Sequence, residues 1–113
     1  MKMLITGGAG MVGSHCAEYF SNQGHEILVY DSLIRSHIFG SDARSVEYNW
    51  NYLNTIGGIN LVKADIRDVG VLEKVFTQFR PDIVIHAAGQ PGVRMSVEDP
   101  IGDYSINSTG TLN

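Results

Sequence analysis

Near the N-terminus, Gly8-Ala9-Gly10-Met11-Val12-Gly13 follows the pattern G-x-G-x-x-G, and with Gly7 the run also follows G-x-x-G-x-x-G. Residues without bulk at those spacings let a backbone turn tightly, approach a pyrophosphate closely, and pack a helix hard against a strand. A glycine-rich chain produces the pattern by chance, so context decides: a strand must precede it and a helix must follow. Here Met3-Leu4-Ile5 precedes it and a helical pattern begins at Met11. A helix opening at such a turn offers free N–H groups and a partial positive charge to an anion. A carboxylate, Asp31, stands 18 residues past Gly13 at the end of another apolar run. So placed, it accepts hydrogen bonds from ribose hydroxyls and repels a 2′-phosphate, which favours NAD over NADP. Arg35 is the opposing signal, because an arginine can accommodate that phosphate. A structural glycine turn with an ordinary strand-ending acid is the plainer alternative.

The motif works only if the rest of the chain builds the elements around it. Met3-Leu4-Ile5, closed by Thr6-Gly7-Gly8, reads as a buried strand. From Met11 to Gln23, Val12, Cys16, Tyr19 and Phe20 recur at helical spacing, with Gly24 placed as a C-terminal cap. Ile27-Leu28-Val29-Tyr30 is a second strand, ended by Asp31. Residues 32–41 read as a loop, and 42–56 as a helix with Val46, Trp50, Leu53 and Ile56 on one face, stopped by Gly57-Gly58. Ile59 to Ala64 is a third strand. Asp68 caps a helix through Phe79 whose inner face carries Val71, Leu72, Val75, Phe76 and Phe79, and Pro81 breaks it. Ile83-Val84-Ile85 is a fourth strand running into His86-Ala87-Ala88-Gly89, and a last helix begins near Asp103. Alternating strands and helices define an α/β fold of parallel βαβ units with right-handed crossovers. Strands without polar alternation fit a sheet covered on both faces. The expected architecture is a Rossmann-type doubly wound parallel sheet, its N-terminal portion only, with about four strands.

Composition narrows the classes. The 113 residues allow one domain, and 43% hydrophobic content fits a globular chain. A net charge of −4 with no basic stripe argues against nucleic-acid binding. The single cysteine allows no disulfide within the chain, which fits a reducing cytoplasm. The short apolar run at the N-terminus is too brief for a signal peptide, and no apolar stretch is long enough to span a membrane. His15, His25 and His37 lack partners at metal-ligand spacing, so no metal site is expected. His86 reads as a packed or hydrogen-bonded strand-end residue, Cys16 as a buried thiol, and Trp50 as core or interface. Asp65 and Asp68 are better explained as a strand end and a helix cap than as an acid–base pair. Arg94 divides evenly between gripping a substrate anion and standing solvated in a loop.

The run Thr6-Gly-Gly-Ala-Gly-Met-Val-Gly-Ser-His15 resembles the opening of the extended short-chain dehydrogenase/reductases, the NAD-dependent nucleotide-sugar epimerases and dehydratases. Gly24-His25-Glu26 with Asp31-Ser32-Leu33, then Asp65-Ile66-Arg67-Asp68, His86-Ala87-Ala88-Gly89, and Asn107 with Gly110-Thr111 are similar to later motifs of that family, in family order and across the whole chain. The resemblance implies that Gly7, Gly10 and Gly13 form the phosphate turn. It implies that Met11 and Val12 give backbone N–H groups to the pyrophosphate and that Asp31 holds the ribose. Asp65 and Ile66 would flank the adenine, Ala87 and Ala88 would line the path to the nicotinamide, and Asn107 would sit near the active centre. The insert from Ser41 to Asp68 looks like CDP-paratose 2-epimerases, whereas Gln90 to Pro100 looks more like UDP-glucuronate 4-epimerases; nucleotide-sugar 4,6-dehydratases are a further alternative.

In this family the chemistry is transient oxidation of the sugar by NAD, with a Tyr-x-x-x-Lys pair supplying the base. This chain has no such pair: its lysines are Lys2, Lys63 and Lys74, preceded at four residues by nothing, Ile59 and Gly70. The resemblance therefore makes residues 1–113 the N-terminal portion of an NAD-binding domain, truncated before the catalytic pair and the substrate domain. It implies no catalytic residue in this chain and no turnover by it alone. A homodimer of the full-length protein and a nucleotide-sugar substrate are the implied partners. An NAD-binding module without catalysis is the alternative in a different class. The fourth strand is expected to expose an open edge and to leave the chain marginally stable.

Overall fold

The structure, a computed structural model, describes residues 1–35 and 44–113. His37, most of the expected 32–41 loop and the first two residues of the expected 42–56 helix lie outside the described residues. Among the described residues the chain runs β1 (Lys2–Thr6), α1 (Met11–Asn22), β2 (Glu26–Asp31), α2 (Arg44–Leu53), β3 (Ile59–Lys63), α3 (Val69–Phe79), β4 (Ile83–His86), α4 (Val93–Glu98), α5 (Pro100–Tyr104), a π-helical turn (Ser105–Thr109) and α6 (Gly110–Leu112).

The four strands are parallel, in the order β3-β2-β1-β4. Thr6 lies level with Tyr30 on one side and with His86 on the other, and Asp31 lies level with Lys63. The chain thus winds outward from β1 to β3, then crosses back to place β4 on the other flank of β1. That reversal opens a crevice at the C-terminal ends of β1 and β4. This is the Rossmann arrangement expected from the alternating elements.

Successive residues of β1 and β2 feed opposite faces of the sheet. Met3, Ile5, Ile27 and Val29 pack with Ala17 of α1 and Leu53 of α2, with Trp50 joining them; Leu4, Leu28 and Tyr30 pack with Leu72, Val75 and Phe79 of α3. Removing side chains of this size from water stabilises by about 1.5–3 kcal/mol each. The outer strands are less covered: Ile83 and Val84 of β4 are 39% and 43% exposed, and the strand ends the sheet with no partner beyond it among the described residues.

Three local expectations need correction. In α1, Val12 and Tyr19 are exposed; the buried residues are Gly13, Ser14 and Ala17. The helix sits so close to the sheet that small residues, not large apolar ones, define its inner face. In α3, Phe76 is exposed while Leu72, Val75 and Phe79 are buried. The helical C-terminal region starts at Val93, ten residues before Asp103. Pro100 does not interrupt it, because proline is tolerated in a first turn, and Asp99 caps that turn by accepting from the Gly102 N–H at 2.9 Å. Two caps follow expectation. The Asp68 carboxylate accepts the Val71 N–H at 3.1 Å at the head of α3, and Gly24 takes φ +84° just past α1.

Candidate functional site

The turn between β1 and α1 is built by two glycines with different duties. Gly7 has φ +66°, and a Cβ there would stand 2.5 Å from the Ala88 nitrogen and 2.6 Å from the Ala87 oxygen. It therefore serves both the turn and the close approach of the segment that follows β4. Gly13 has ordinary helical geometry, but a Cβ on it would collide with the Gly7 oxygen and come within 2.7 Å of the Gly8 Cα. Backbone bonds fix the turn: Gly7 N–H to Tyr30 O at 2.8 Å and Gly10 N–H to Gly7 O at 3.0 Å. Gly10 is the N-cap of α1 with no side-chain cap, and no acidic residue stands in the first turn. The positive end of this 12-residue helix is thus left uncompensated by the chain.

Asp31, at the end of β2, is locked in place. Its Oδ2 accepts the Ala9 N–H at 2.9 Å and its Oδ1 accepts the Leu33 N–H at 2.8 Å. Asn49 of α2 completes this corner, donating from Nδ2 to Ala9 O at 2.9 Å. The carboxylate retains lone pairs, since each oxygen accepts about two bonds.

After β3, the Tyr30 hydroxyl donates to Asp65 O at 2.8 Å. Burial, with help from the Asp68 and Asp65 carboxylates, pushes the Tyr30 phenol up to about 12. The Asp65 carboxylate is spent on Arg67, accepting its Nη2–H at 2.6 Å and its Nε–H at 2.9 Å. That hydrogen bonding holds the Asp65 carboxyl below the usual carboxylate range. Asp65 is therefore anchored by Arg67, while its Oδ2, which accepts one bond, keeps acceptor capacity beside the cavity.

After β4, three neighbours in the last helical stretch do three separate jobs. Asn107 clamps Gln90, its Oδ1 accepting the Gln90 N–H at 2.7 Å and its Nδ2 donating to Gln90 O at 3.0 Å. Gly110 lies on Ile66; a Cβ there would stand 2.5 Å from the Ile66 Cγ2. The Thr111 hydroxyl donates to Asn107 O at 2.6 Å, so it must accept from His86 Nε2–H at 3.0 Å. His86 is then the Nε2–H tautomer, and its Nδ1 accepts from the Thr6 hydroxyl at 2.6 Å. Both ring nitrogens are engaged in tying β1, β4 and the last helix together; His86 is exposed, so it is a hydrogen-bonded strand-end residue and not a packed one. Arg94 pairs with Glu98 at 2.7 Å on an exposed face.

These corners enclose one cavity of about 630 Å³ at the C-terminal ends of the strands. Gly7, Gly10, Met11, Val12 and Gly13 line it from the glycine turn, Asp31 from β2, Asp65 and Ile66 from behind β3, Ala87 and Ala88 from behind β4, and Asn107 from the π turn. All the residues singled out from the sequence as cofactor contacts thus converge on one space. Tyr30, Ser32, Ile34, Val46, Ala64, Gly89, Gln90, Pro91 and Ile106 also line it and were missed; Arg35, noted only as an opposing signal, lines it too. Their signal was proximity to the motifs, which spacing alone does not convert into a contact.

The donor set fits a dinucleotide. It combines a bare helix N-terminus for a diphosphate, an oriented carboxylate on the β2 side for a ribose, and an apolar floor at Ile66 for a base. Exposed Met11 and Val12, 73% and 59% exposed, are apolar side chains standing over an open crevice. Among the described residues no group of three or more His, Cys, Asp or Glu stands together for a metal, and no helix is long and apolar enough to cross a membrane.

With the parallel sheet, the reversal at β1/β4 and the glycine turn in place, the molecule is a Rossmann-type dinucleotide-binding fold. Residues 3–113 match the NAD dependent epimerase/dehydratase family, and the chain belongs to it. It is 35% identical over 113 residues to the CDP-paratose 2-epimerase of Salmonella typhi, covering 100% of this chain and 31% of that protein. It is 36% identical over 113 residues to a UDP-glucose 4-epimerase of Neisseria meningitidis serogroup B, covering 98% of this chain and 31% of that one. Among solved structures it superimposes on the Thermus thermophilus UDP-glucose 4-epimerase in complex with NAD, with TM-score 0.75 and 36% identity, over 99% of this chain and 32% of that one. The chain spans about a third of the length of these relatives.

Proposed function

We propose that this chain is the NAD-holding part of a nucleotide-sugar epimerase or dehydratase, and that residues 1–113 are the N-terminal portion of its cofactor domain. The observation that carries the reading is the convergence of Gly7, Gly10, Met11, Val12, Gly13, Asp31, Asp65, Ile66, Ala87, Ala88 and Asn107, from five separate segments, on one cavity. The N–H groups of Met11 and Val12 at the head of α1 receive the pyrophosphate. Asp31 takes the adenosine ribose, oriented beforehand by the Ala9 and Leu33 amides. The backbone at Asp65 and the side chain of Ile66 bracket the adenine. The other half of the dinucleotide then extends past Ala87 and Ala88 toward Asn107.

Bound NAD supplies a hydride acceptor for a sugar carbon and returns the hydride afterwards. The chain's own residues bind and orient; none of them is assigned to the acid–base step. The insert from Ser41 to Asp68, with Trp50 to Leu53, supports a CDP-paratose 2-epimerase-like substrate, while the stretch from Gln90 to Pro100 supports a UDP-glucuronate 4-epimerase-like one. The identities to a CDP-paratose 2-epimerase and a UDP-glucose 4-epimerase, 35% and 36%, do not separate a CDP-sugar from a UDP-sugar.

The test is calorimetric titration of the chain with NAD and NADP. The wild type binds NAD more tightly than NADP, and Asp31→Ala narrows that preference at least tenfold, because it removes both the ribose acceptor and the negative charge facing a 2′-phosphate. Equal affinity for the two cofactors in the wild type, or an unchanged ratio in the variant, overturns the assignment.

A further inference from the structure

Asp103 belongs to none of the recognised motifs, yet the loop at the redox end of the cavity depends on it. Its Oδ1 accepts from three donors on three elements: Gln90 Nε2 at 3.1 Å in the loop after β4, the Ser96 hydroxyl at 2.9 Å in α4, and Asn107 Nδ2 at 3.1 Å in the π turn. A carboxylate accepts and does not donate, so it fits two amides that the backbone has already turned, Asn107 Nδ2 donating to Gln90 O at 3.0 Å and Gln90 Nε2 to Gly92 O at 3.1 Å. The Asn107 NH₂ faces Asp103 while the Asn107 Oδ1 takes the Gln90 N–H. The Gln90 NH₂ also faces Asp103 while the Gln90 Oε1 takes the Gly92 N–H at 2.5 Å. Take the carboxylate away and both amides keep their backbone bonds, but the loop after β4, α4 and the π turn lose the side-chain oxygen that joins all three.

Gln90, Gly89, Ala88, Ala87 and Asn107 line the cavity on the β4 side. The adenosine half of a dinucleotide is committed to the β2 side by Asp31, and its pyrophosphate to the turn after β1, so the nicotinamide half falls on the β4 side. We propose that Asp103 is a positioning residue for the nicotinamide half of the cofactor site, acting by holding the Gln90 loop, α4 and Asn107 together. The proposal rests on the reading of the cavity as an NAD site.

The test compares two ligands that differ only in the nicotinamide, NAD and ADP-ribose, titrated calorimetrically into the wild-type chain, Asp103→Ala and Asp103→Asn. Asp103→Ala is expected to weaken NAD roughly tenfold while ADP-ribose stays within about twofold, because two charge-assisted hydrogen bonds orient only the β4-side loop. Asp103→Asn keeps an acceptor of the same shape and is expected to recover most of the NAD affinity. ADP-ribose binding reports in each case that the variant is folded. Equal weakening of both ligands assigns Asp103 a merely structural role and overturns the proposal, as does no weakening of either. A wild-type chain that binds neither ligand refutes the NAD reading itself, and is thereby distinguishable from both.

Discussion

Replacing a helical glycine by alanine ordinarily stabilises a protein by about 0.5–1 kcal/mol, because alanine has the better helix propensity. Gly13 in the first turn of α1 is expected to reverse that sign, and Gly70 in the first turn of α3 is expected to obey it. At Gly70 a new Cβ finds nothing nearer than the Asp68 Oδ1 at 3.6 Å, an ordinary contact. At Gly13 it meets backbone: the Gly7 oxygen within collision distance, the Gly8 Cα at 2.7 Å and the Gly7 carbon at 2.9 Å. Backbone cannot rotate aside, so the head of α1 must lift away from the turn. Overpacking of this kind costs about 1–3 kcal/mol, against about 1 kcal/mol returned by propensity. The net is a loss of up to about 2 kcal/mol, or several degrees of Tm for a domain of this size. The lift also carries the Met11 and Val12 N–H groups away from a bound pyrophosphate. Each charge-assisted hydrogen bond is worth about 1.5–3 kcal/mol, so NAD affinity should fall at least tenfold. Thermal melts followed by circular dichroism, and NAD titration, read both effects. Gly13→Ala and Gly70→Ala moving Tm in the same direction, or Gly13→Ala binding NAD like the wild type, would refute the reasoning.

Tyr30→Phe is expected to cost about 1 kcal/mol near neutral pH by orphaning the Asp65 carbonyl. The phenol is raised to about 12 in the fold against about 10 unfolded, so its stabilisation is complete below pH 10 and lost as pH rises toward 12. Denaturant melts from pH 8 to 12 should therefore show the wild type's advantage over Tyr30→Phe shrinking and then reversing, and a constant gap would count against the assignment. Asp65→Asn acts at the other end of the scale. Its lowered carboxyl contributes stability above about pH 4 that is lost as pH falls through the folded value, and partial exposure keeps it under about 1 kcal/mol. The variant should be slightly weaker at pH 7, and the difference should fade as pH falls through the lowered range of the folded carboxyl. Gly110→Ala should cost about 1–3 kcal/mol through Ile66, and Ile66→Ala should relieve part of it, a coupling that a double-mutant cycle measures. Ile83→Lys on the open edge of β4 should reduce concentration-dependent association seen by light scattering.

The sheet and the glycine turn were legible because β1 and β2 are continuous apolar runs and because the glycines fall where strand gives way to helix. The α1 face was misjudged because apolar periodicity weights large residues, whereas the tight seat of the helix over the turn selects Gly13 and Ala17. The helices from Val93 to Tyr104 were missed because Pro100 reads as a breaker until Asp99 is seen to cap it. The eleven site positions came from motifs and converge on one cavity, but Gln90 and Asp103 did not announce themselves. Their part is played through hydrogen bonds between segments 13 and 17 residues apart, and spacing carries no trace of which amide faces which.

Asp31 joins two backbone amides, Ala9 in the glycine turn and Leu33 beyond β2, through one carboxylate. Those two N–H groups can exchange with solvent hydrogen only when that carboxylate lets go. On the proposed reading, a ribose hydrogen-bonded to the same carboxylate would restrain its departure, and occupancy of the cavity would be written into the exchange rates of two amides whose residues do not line it. The protein thereby carries an intrinsic isotopic gauge of its own cofactor, readable at single-residue resolution without a chromophore or a turnover assay.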